Sequence, residues 1–92
     1  MTRLTVGMPV YNAMPYLPEA VESILGQTLR DFRFLIVNDG STDSSKEYLD
    51  SIDDPRVTVI HQENRGLGAT LNRTLELCET EYWTFAKRSL ML

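Results

Sequence analysis

Very little in this sequence could hold a soft metal or a disulfide: it contains one cysteine, Cys78, and one histidine, His61. A lone cysteine cannot close an internal disulfide, which suits a reducing compartment and predicts a cytoplasmic location. His61 has no second His or Cys at ligand spacing, so it reads as a strand-end histidine and not as a metal ligand. Long apolar runs are missing too. No stretch approaches the roughly 18 residues of a membrane span, and the opening Met-Thr-Arg-Leu-Thr-Val-Gly-Met-Pro has no apolar core of signal-peptide length. Positive charge is in deficit: nine Lys and Arg face thirteen Asp and Glu, for a net charge of −4, and no basic face is available to meet nucleic acid. No G-x-G-x-x-G follows the first apolar run, which argues against a dinucleotide-dependent dehydrogenase.

What is present is ordinary globular chemistry, with 42% hydrophobic and 24% charged residues in a chain of 92. That is too apolar for a disordered segment, and the length predicts a single domain of marginal stability. Short β-rich runs alternate with helical periodicity. Leu4–Pro9 reads as a buried strand ended by proline. Leu17, Val21, Ile24, Leu25 and Thr28 then recur on one helical face, with Pro18 suited to the first turn. Phe32–Val37 is a second apolar strand, stopped by Asn38-Asp39-Gly40-Ser41. Ser41, Thr42 or Asp43 caps a short helix to about Ile52, with Tyr48, Leu49 and Ile52 facing inward. Val57–Ile60 is a third strand. Leu67, Leu71, Leu75 and Cys78 predict an apolar stripe on a helix over residues 66–79, and Tyr82–Ala86 a fourth strand. Strands apolar on both faces and separated by helices imply an α/β fold, a Rossmann-like three-layer sandwich with a mostly parallel sheet in the order β-α-β-α-β-α-β.

In such a sheet ligands bind beyond the carboxyl ends of the strands. The residues found there are Pro9, Tyr11 and Asn12 after the first strand, Asn38, Asp39 and Gly40 after the second, and Glu63-Asn64-Arg65-Gly66 after the third. Asp39 offers a carboxylate acceptor for a base or a ribose, Arg65 a planar cation for a base or a diphosphate, and Tyr11 a flat apolar face. Gly66 and Gly68 stand where a helix N-terminus would favour an anion. Singly, each has a plain structural reading: Asp39-Gly40 as a tight turn, Arg65 as a solvated cation, Tyr11 as packing. Their convergence on one rim points to a nucleotide.

The run Thr5-Val6-Gly7-Met8-Pro9-Val10-Tyr11-Asn12, followed by Tyr16-Leu17, Ser23-Ile24-Leu25 and Gln27-Thr28, resembles the opening of family 2 glycosyltransferases. Phe34 to Asp43 resembles that family's second strand and its D-G-S-T-D turn, and Asn64-Arg65-Gly66 with the following helix resembles its third block. The likeness reaches Tyr82. It implies a GT-A fold and transfer of a sugar from a UDP-, dTDP- or GDP-sugar donor. Carried over by position, Pro9 and Tyr11 line the base site, Asp39 bonds the base, and Arg65 contacts base or diphosphate. Asn12 and Asn64 organise the loops, while Ser23 and Gln27 are structural.

After Glu81-Tyr82 the family pattern runs into an acidic D-x-D that holds Mn2+ or Mg2+, whereas residues 83–92 contain no carboxylate to ligate a hard cation. The expectation is a truncated nucleotide-sugar-binding domain with no metal site, no general base and no catalytic residue of its own. Two other accounts stand beside it: Lys87 and Arg88 replacing the metal, or a degenerate binding module. A sugar-phosphate nucleotidylyltransferase would need a glycine-rich basic loop where Val10-Tyr11-Asn12-Ala13 stands. A non-catalytic, oligomerising or regulatory module is the remaining rival, and an exposed sheet edge predicts a homo-oligomer.

Overall fold

The structure, a computed structural model, describes residues 3–27 and 31–86. Thr28, Lys87 and Arg88 lie outside the described residues. Seven elements alternate as the sequence predicts: β1 (Leu4–Val10), α1 (Leu17–Leu25), β2 (Arg33–Asp39), α2 (Ser45–Asp50), β3 (Val57–Gln62), α3 (Leu67–Glu76) and β4 (Tyr82–Phe85). The four strands form one sheet in the order β3-β2-β1-β4, and every pairing is parallel.

Alternation along β1 and β2 divides the interior. Val6, Met8, Val10, Phe34 and Ile36 point to one face, where Leu17, Val21 and Ile24 of α1 and Leu49 of α2 complete the main core. Pro18 stands in the first turn of α1 as expected, and Tyr48 and Ile52 pack at the margin of this core. On the opposite face α3 lies across β1 and β2.

β1 does not stop at Pro9 but continues through Val10, with Pro9 buried opposite Val37. The reason lies in the ladder. Gly7 accepts a hydrogen bond from the Ala86 N–H, so Thr5, Gly7 and Pro9 turn their backbone groups toward the β4 side, where the described pairing reaches the Gly7 and Phe85 level. The missing N–H of Pro9 therefore breaks no bond to β2, and the central strand runs on.

The expected stripe on α3 is displaced. Thr70 and Thr74 are its buried residues, while Leu67, Leu75 and Leu77 are more than one third exposed; Leu71 is half-buried, as is Cys78 just beyond the helix. The sheet sets this choice. A Cβ added to Gly7 would fall 2.6 Å from the Thr74 Cγ2, so the helix sits too close to β1 for a leucine at that position. Both threonine hydroxyls donate to carbonyls four residues back, Thr70 to Gly66 and Thr74 to Thr70, at 2.8 Å. This satisfies each buried hydroxyl within the helix.

Candidate functional site

The three loops at the carboxyl ends of β1, β2 and β3 meet, and hydrogen bonds from named side chains draw them together. After β1, three successive N–H groups donate into the segment that follows β2: Asn12 to Ser41 Oγ at 2.9 Å, Ala13 to Ser45 Oγ at 3.3 Å and Met14 to Asp43 Oδ2 at 3.1 Å. In return, the Asn12 side-chain Oδ1 accepts from the Thr42 N–H at 2.7 Å and the Asp43 N–H at 3.2 Å. Asn12 holds this position with φ of 48°, a left-handed conformation that Asn tolerates better than most residues. It is the loop organiser anticipated from the sequence. α2 is entered one step later than expected, at Ser44, and Asp43 still accepts from the Ser45 N–H at 2.9 Å.

A second set of bonds continues across the rim in one direction. Ser41 Oγ donates to Asn38 Oδ1 at 2.6 Å, Asn38 Nδ2 meets His61 Nδ1 at 3.1 Å, and His61 Nε2 meets Asp50 Oδ1 at 2.7 Å. With Nδ1 accepting from the amide, the ring proton resides on Nε2 and donates to the carboxylate. His61 thus ties the end of β3 to α2 and to the turn after β2. That bond to His61 is the leading reason the Asp50 carboxyl lies below its ordinary value.

Asp39 is the last residue of β2 and is fully buried. Its Oδ1 accepts from Gln62 Nε2 at 2.9 Å and from the Arg65 N–H at 2.7 Å. Its Oδ2 accepts from the Gly66 N–H at 3.0 Å and from Asn64 Nδ2 at 3.4 Å. Asn64 also donates to the Asp39 carbonyl at 3.1 Å, confirming its organising part in the loop. Burial would by itself raise the carboxyl, but the bonds from Gln62, Arg65 and Gly66 outweigh it and hold the pKa below its ordinary value. Gly40 follows with φ of 69°, and a Cβ there would fall 2.6 Å from the Asn64 backbone nitrogen. Only glycine meets both demands.

The predicted site residues therefore occupy distinct places. Tyr11 is half-buried just past β1, level with the end of β2, while Asn12 and Arg65 are exposed on the rim. Gly40 is locked between loops. Pro9 is inside the sheet, and Asp39 is beneath the loop that carries Arg65. At the start of α3 the Gly66 N–H meets the Asp39 carboxylate. Gln62 escaped the sequence reading; its only signal is its place opposite Asp39 in the β2 to β3 register, which the sequence does not display. A cavity of about 350 Å³ shares no residue with this rim. It lies between α1 and β4 and is lined in part by Ser23, Gln27, Ile24 and Phe85. Among the described residues, no group of three or more His, Cys, Asp or Glu could hold a metal ion, and no helix is long and apolar enough to cross a membrane.

Comparison with known proteins agrees with the architecture. The sequence model described as Glycosyl transferase family 2 matches residues 5–86, a span that runs on through β4 beyond Tyr82. The chain is 43% identical over 84 residues to the glycosyltransferase GlyG of Streptococcus pneumoniae, covering 88% of this chain and 28% of that protein. It is 41% identical over 85 residues to GlyA of the same organism, covering 90% and 12%. With the teichoic acid poly(glycerol phosphate) polymerase of Staphylococcus epidermidis the identity is 40% over 89 residues, covering 92% and 12%. The chain thus spans between about an eighth and a little over a quarter of the length of these relatives.

Proposed function

The chain belongs to glycosyl transferase family 2, and from that premise we propose that its strand-end rim binds the nucleoside diphosphate of an activated sugar, a UDP-, dTDP- or GDP-sugar, for transfer to an acceptor. The observation that carries this reading is the anchoring of the Arg65 loop. The backbone of Arg65 is held by a buried carboxylate while its side chain stays exposed at the rim. A fixed backbone beneath a planar cation suits diphosphate oxygens or the face of a base. Tyr11 offers an aromatic surface just past β1, and Pro9, Asn12 and Gly40 complete the proposed nucleotide-binding set.

We assign no seat for Mn2+ or Mg2+ to the described residues, which bring together no group of three or more His, Cys, Asp or Glu able to hold a metal ion. Asp39 and Asp43 are already accepting N–H donors, and no step is assigned to a metal. Both carboxyls lie below their ordinary value, since hydrogen bonding outweighs burial, which makes them weak bases. We therefore assign donor binding to this chain and expect no sugar transfer from it alone. A relative named chondroitin synthase and one named teichoic acid poly(glycerol phosphate) polymerase share this same block. That supports a common donor-binding element more than one that selects the acceptor.

Isothermal calorimetry with UDP, dTDP and GDP, with and without Mn2+, tests the proposal. Binding of one nucleoside diphosphate without the metal is expected, together with no transfer from the matching nucleotide sugar. Failure of all three to bind would sink the reading, and strict dependence on Mn2+ would restore a metal site to the chain.

A self-associating module is the second reading, favoured by β4. This strand pairs with β1 alone among the described residues, and Tyr82 and Trp83 are at least half exposed on it. An unpaired strand edge with large apolar side chains invites a second copy. Light scattering is expected to give a dimer or larger assembly. A half-buried, unbridged Cys78 fits the cytoplasmic location proposed with it.

A further inference from the structure

Asn38, one residue before the end of β2, is buried, and a backbone group tells the two ends of its amide apart. Its Oδ1 accepts from the Ser41 N–H at 3.3 Å and from the Ser41 hydroxyl at 2.6 Å. A backbone N–H can only donate, so this end of the amide is the oxygen, and Nδ2 faces His61 Nδ1 at 3.1 Å. Nδ1 is then the acceptor, and the ring carries its proton on Nε2, 2.7 Å from Asp50 Oδ1.

The chain of bonds does not stop at Ser41. Its Oγ accepts from the Asn12 N–H at 2.9 Å, and the Asn12 Oδ1 accepts in turn from the Thr42 and Asp43 N–H groups. Asn12 stands at φ of 48°, so these bonds hold the turn after Tyr11 in a conformation that few residues adopt unaided. His61 therefore reaches the loop after β1 through two side chains, although β3 and β1 are not neighbours in the sheet. Of the elements packed against β3, α2 faces the ring with Asp50, whose carboxylate lies 3.4 Å from the Lys46 ammonium. β2 faces it with the neutral Asn38, its Asp39 being turned to the other side toward Gln62.

We propose that His61 is a positioning residue of the nucleotide site: its unprotonated Nδ1 orients the Asn38 amide, which through Ser41 holds the loop of Tyr11 and Asn12 for the bound nucleotide. The inference rests on the nucleoside diphosphate reading above and adds to it a residue that acts through others. A second proton on the ring undoes the arrangement. Nδ1 becomes a donor facing the donors of Nδ2, and turning the amide to meet it sets Nδ2 against the Ser41 N–H. Either way a donor loses its acceptor, and the Ser41 turn loosens. Imidazoles as a class change charge between about pH 5 and 8, so nucleotide affinity falls with pH across that range through His61.

The test measures UDP affinity from about pH 8 to pH 5, with dTDP and GDP in parallel, on the wild-type chain, His61→Ala and His61→Asn. His61→Ala is expected to weaken binding about fivefold at the alkaline end. His61→Asn restores most of that loss, since its side-chain oxygen stands near the level of Nδ1 and does not titrate. Toward pH 5 the wild-type affinity falls about fivefold further than that of either variant, the titration of the nucleotide phosphate being common to all three. In the ligand-free wild-type chain the Ser41 and Asn12 amide resonances follow the ring through its titration, and in His61→Asn they do not. Ser41→Ala combined with His61→Ala is no weaker than the worse single variant. Wild-type and His61→Asn profiles of the same shape overturn the proposal, as do amides that ignore the ring, losses that multiply in the double variant, or full affinity in His61→Ala. Each of those results leaves the nucleotide reading standing. A wild-type chain that binds none of the three nucleotides removes that reading, and this role with it. Should His61→Ala not fold, the wild-type and His61→Asn profiles decide.

Discussion

Gly7 and Thr74 touch so closely that a Cβ on the glycine would lie 2.6 Å from the threonine methyl. The contact presses α3 against the central strand and determines which face of the helix is buried. Gly7→Ala is expected to destabilise the chain by about 1–3 kcal/mol through overpacking. Thr74→Ser removes the opposing methyl while keeping the hydroxyl that bonds Thr70, so it should recover part of that loss. Urea denaturation of the two single variants and the double reads the coupling. Additive losses would show that the clash is relieved elsewhere.

The same contact makes the leucines of α3 less consequential than their spacing suggests. Leu75→Ser, on the exposed side, should cost about 1 kcal/mol or less. Leu17→Ala, in the main core, should cost about 2–5 kcal/mol. Thermal melts that rank the two in the reverse order would return the leucine stripe to the interior.

Acid should weaken the chain partly through Asp39. Its folded-state pKa lies below the ordinary 3.8, so the unfolded chain takes up a proton first as pH falls. The stabilisation is fully present above the ordinary value and is lost as pH falls through the folded-state value. Asp39→Asn should therefore lower stability at pH 7 and flatten its dependence on pH on the acid side. Denaturation midpoints taken from pH 7 to pH 3 measure this, and a parallel pair of curves would contradict it.

Asn12 combines a left-handed backbone with a side-chain amide oxygen that holds the next loop. Asn12→Ala loses both and should cost about 1–3 kcal/mol, whereas Asn12→Gly keeps the backbone freedom and should cost less. Equal losses in equilibrium unfolding would mean that the side-chain oxygen alone matters.

The alternation of apolar strands with amphipathic helices was legible in the sequence because burial on both faces of a parallel sheet writes itself into composition. The turn residues at the strand ends, Asn12, Gly40 and the Asn64-Arg65-Gly66 loop, were legible for a related reason: left-handed backbone and loop bonding restrict which side chains can stand there. The start of β4 was visible, and so was the family likeness.

Three matters were decided only by the tertiary structure. Pro9 could stay within β1 because its missing N–H is turned away from β2. α3 turned Thr70 and Thr74 inward because Gly7, 67 positions before Thr74 in the chain, left no room for anything larger. Asp39 met its donors because the β2 to β3 register set Gln62 opposite it and brought the next loop over it. Residue types and local spacing specify which elements form and what chemistry waits at their ends. Which of those groups remain free for a ligand depends on distances between segments far apart in sequence, and only packing sets those.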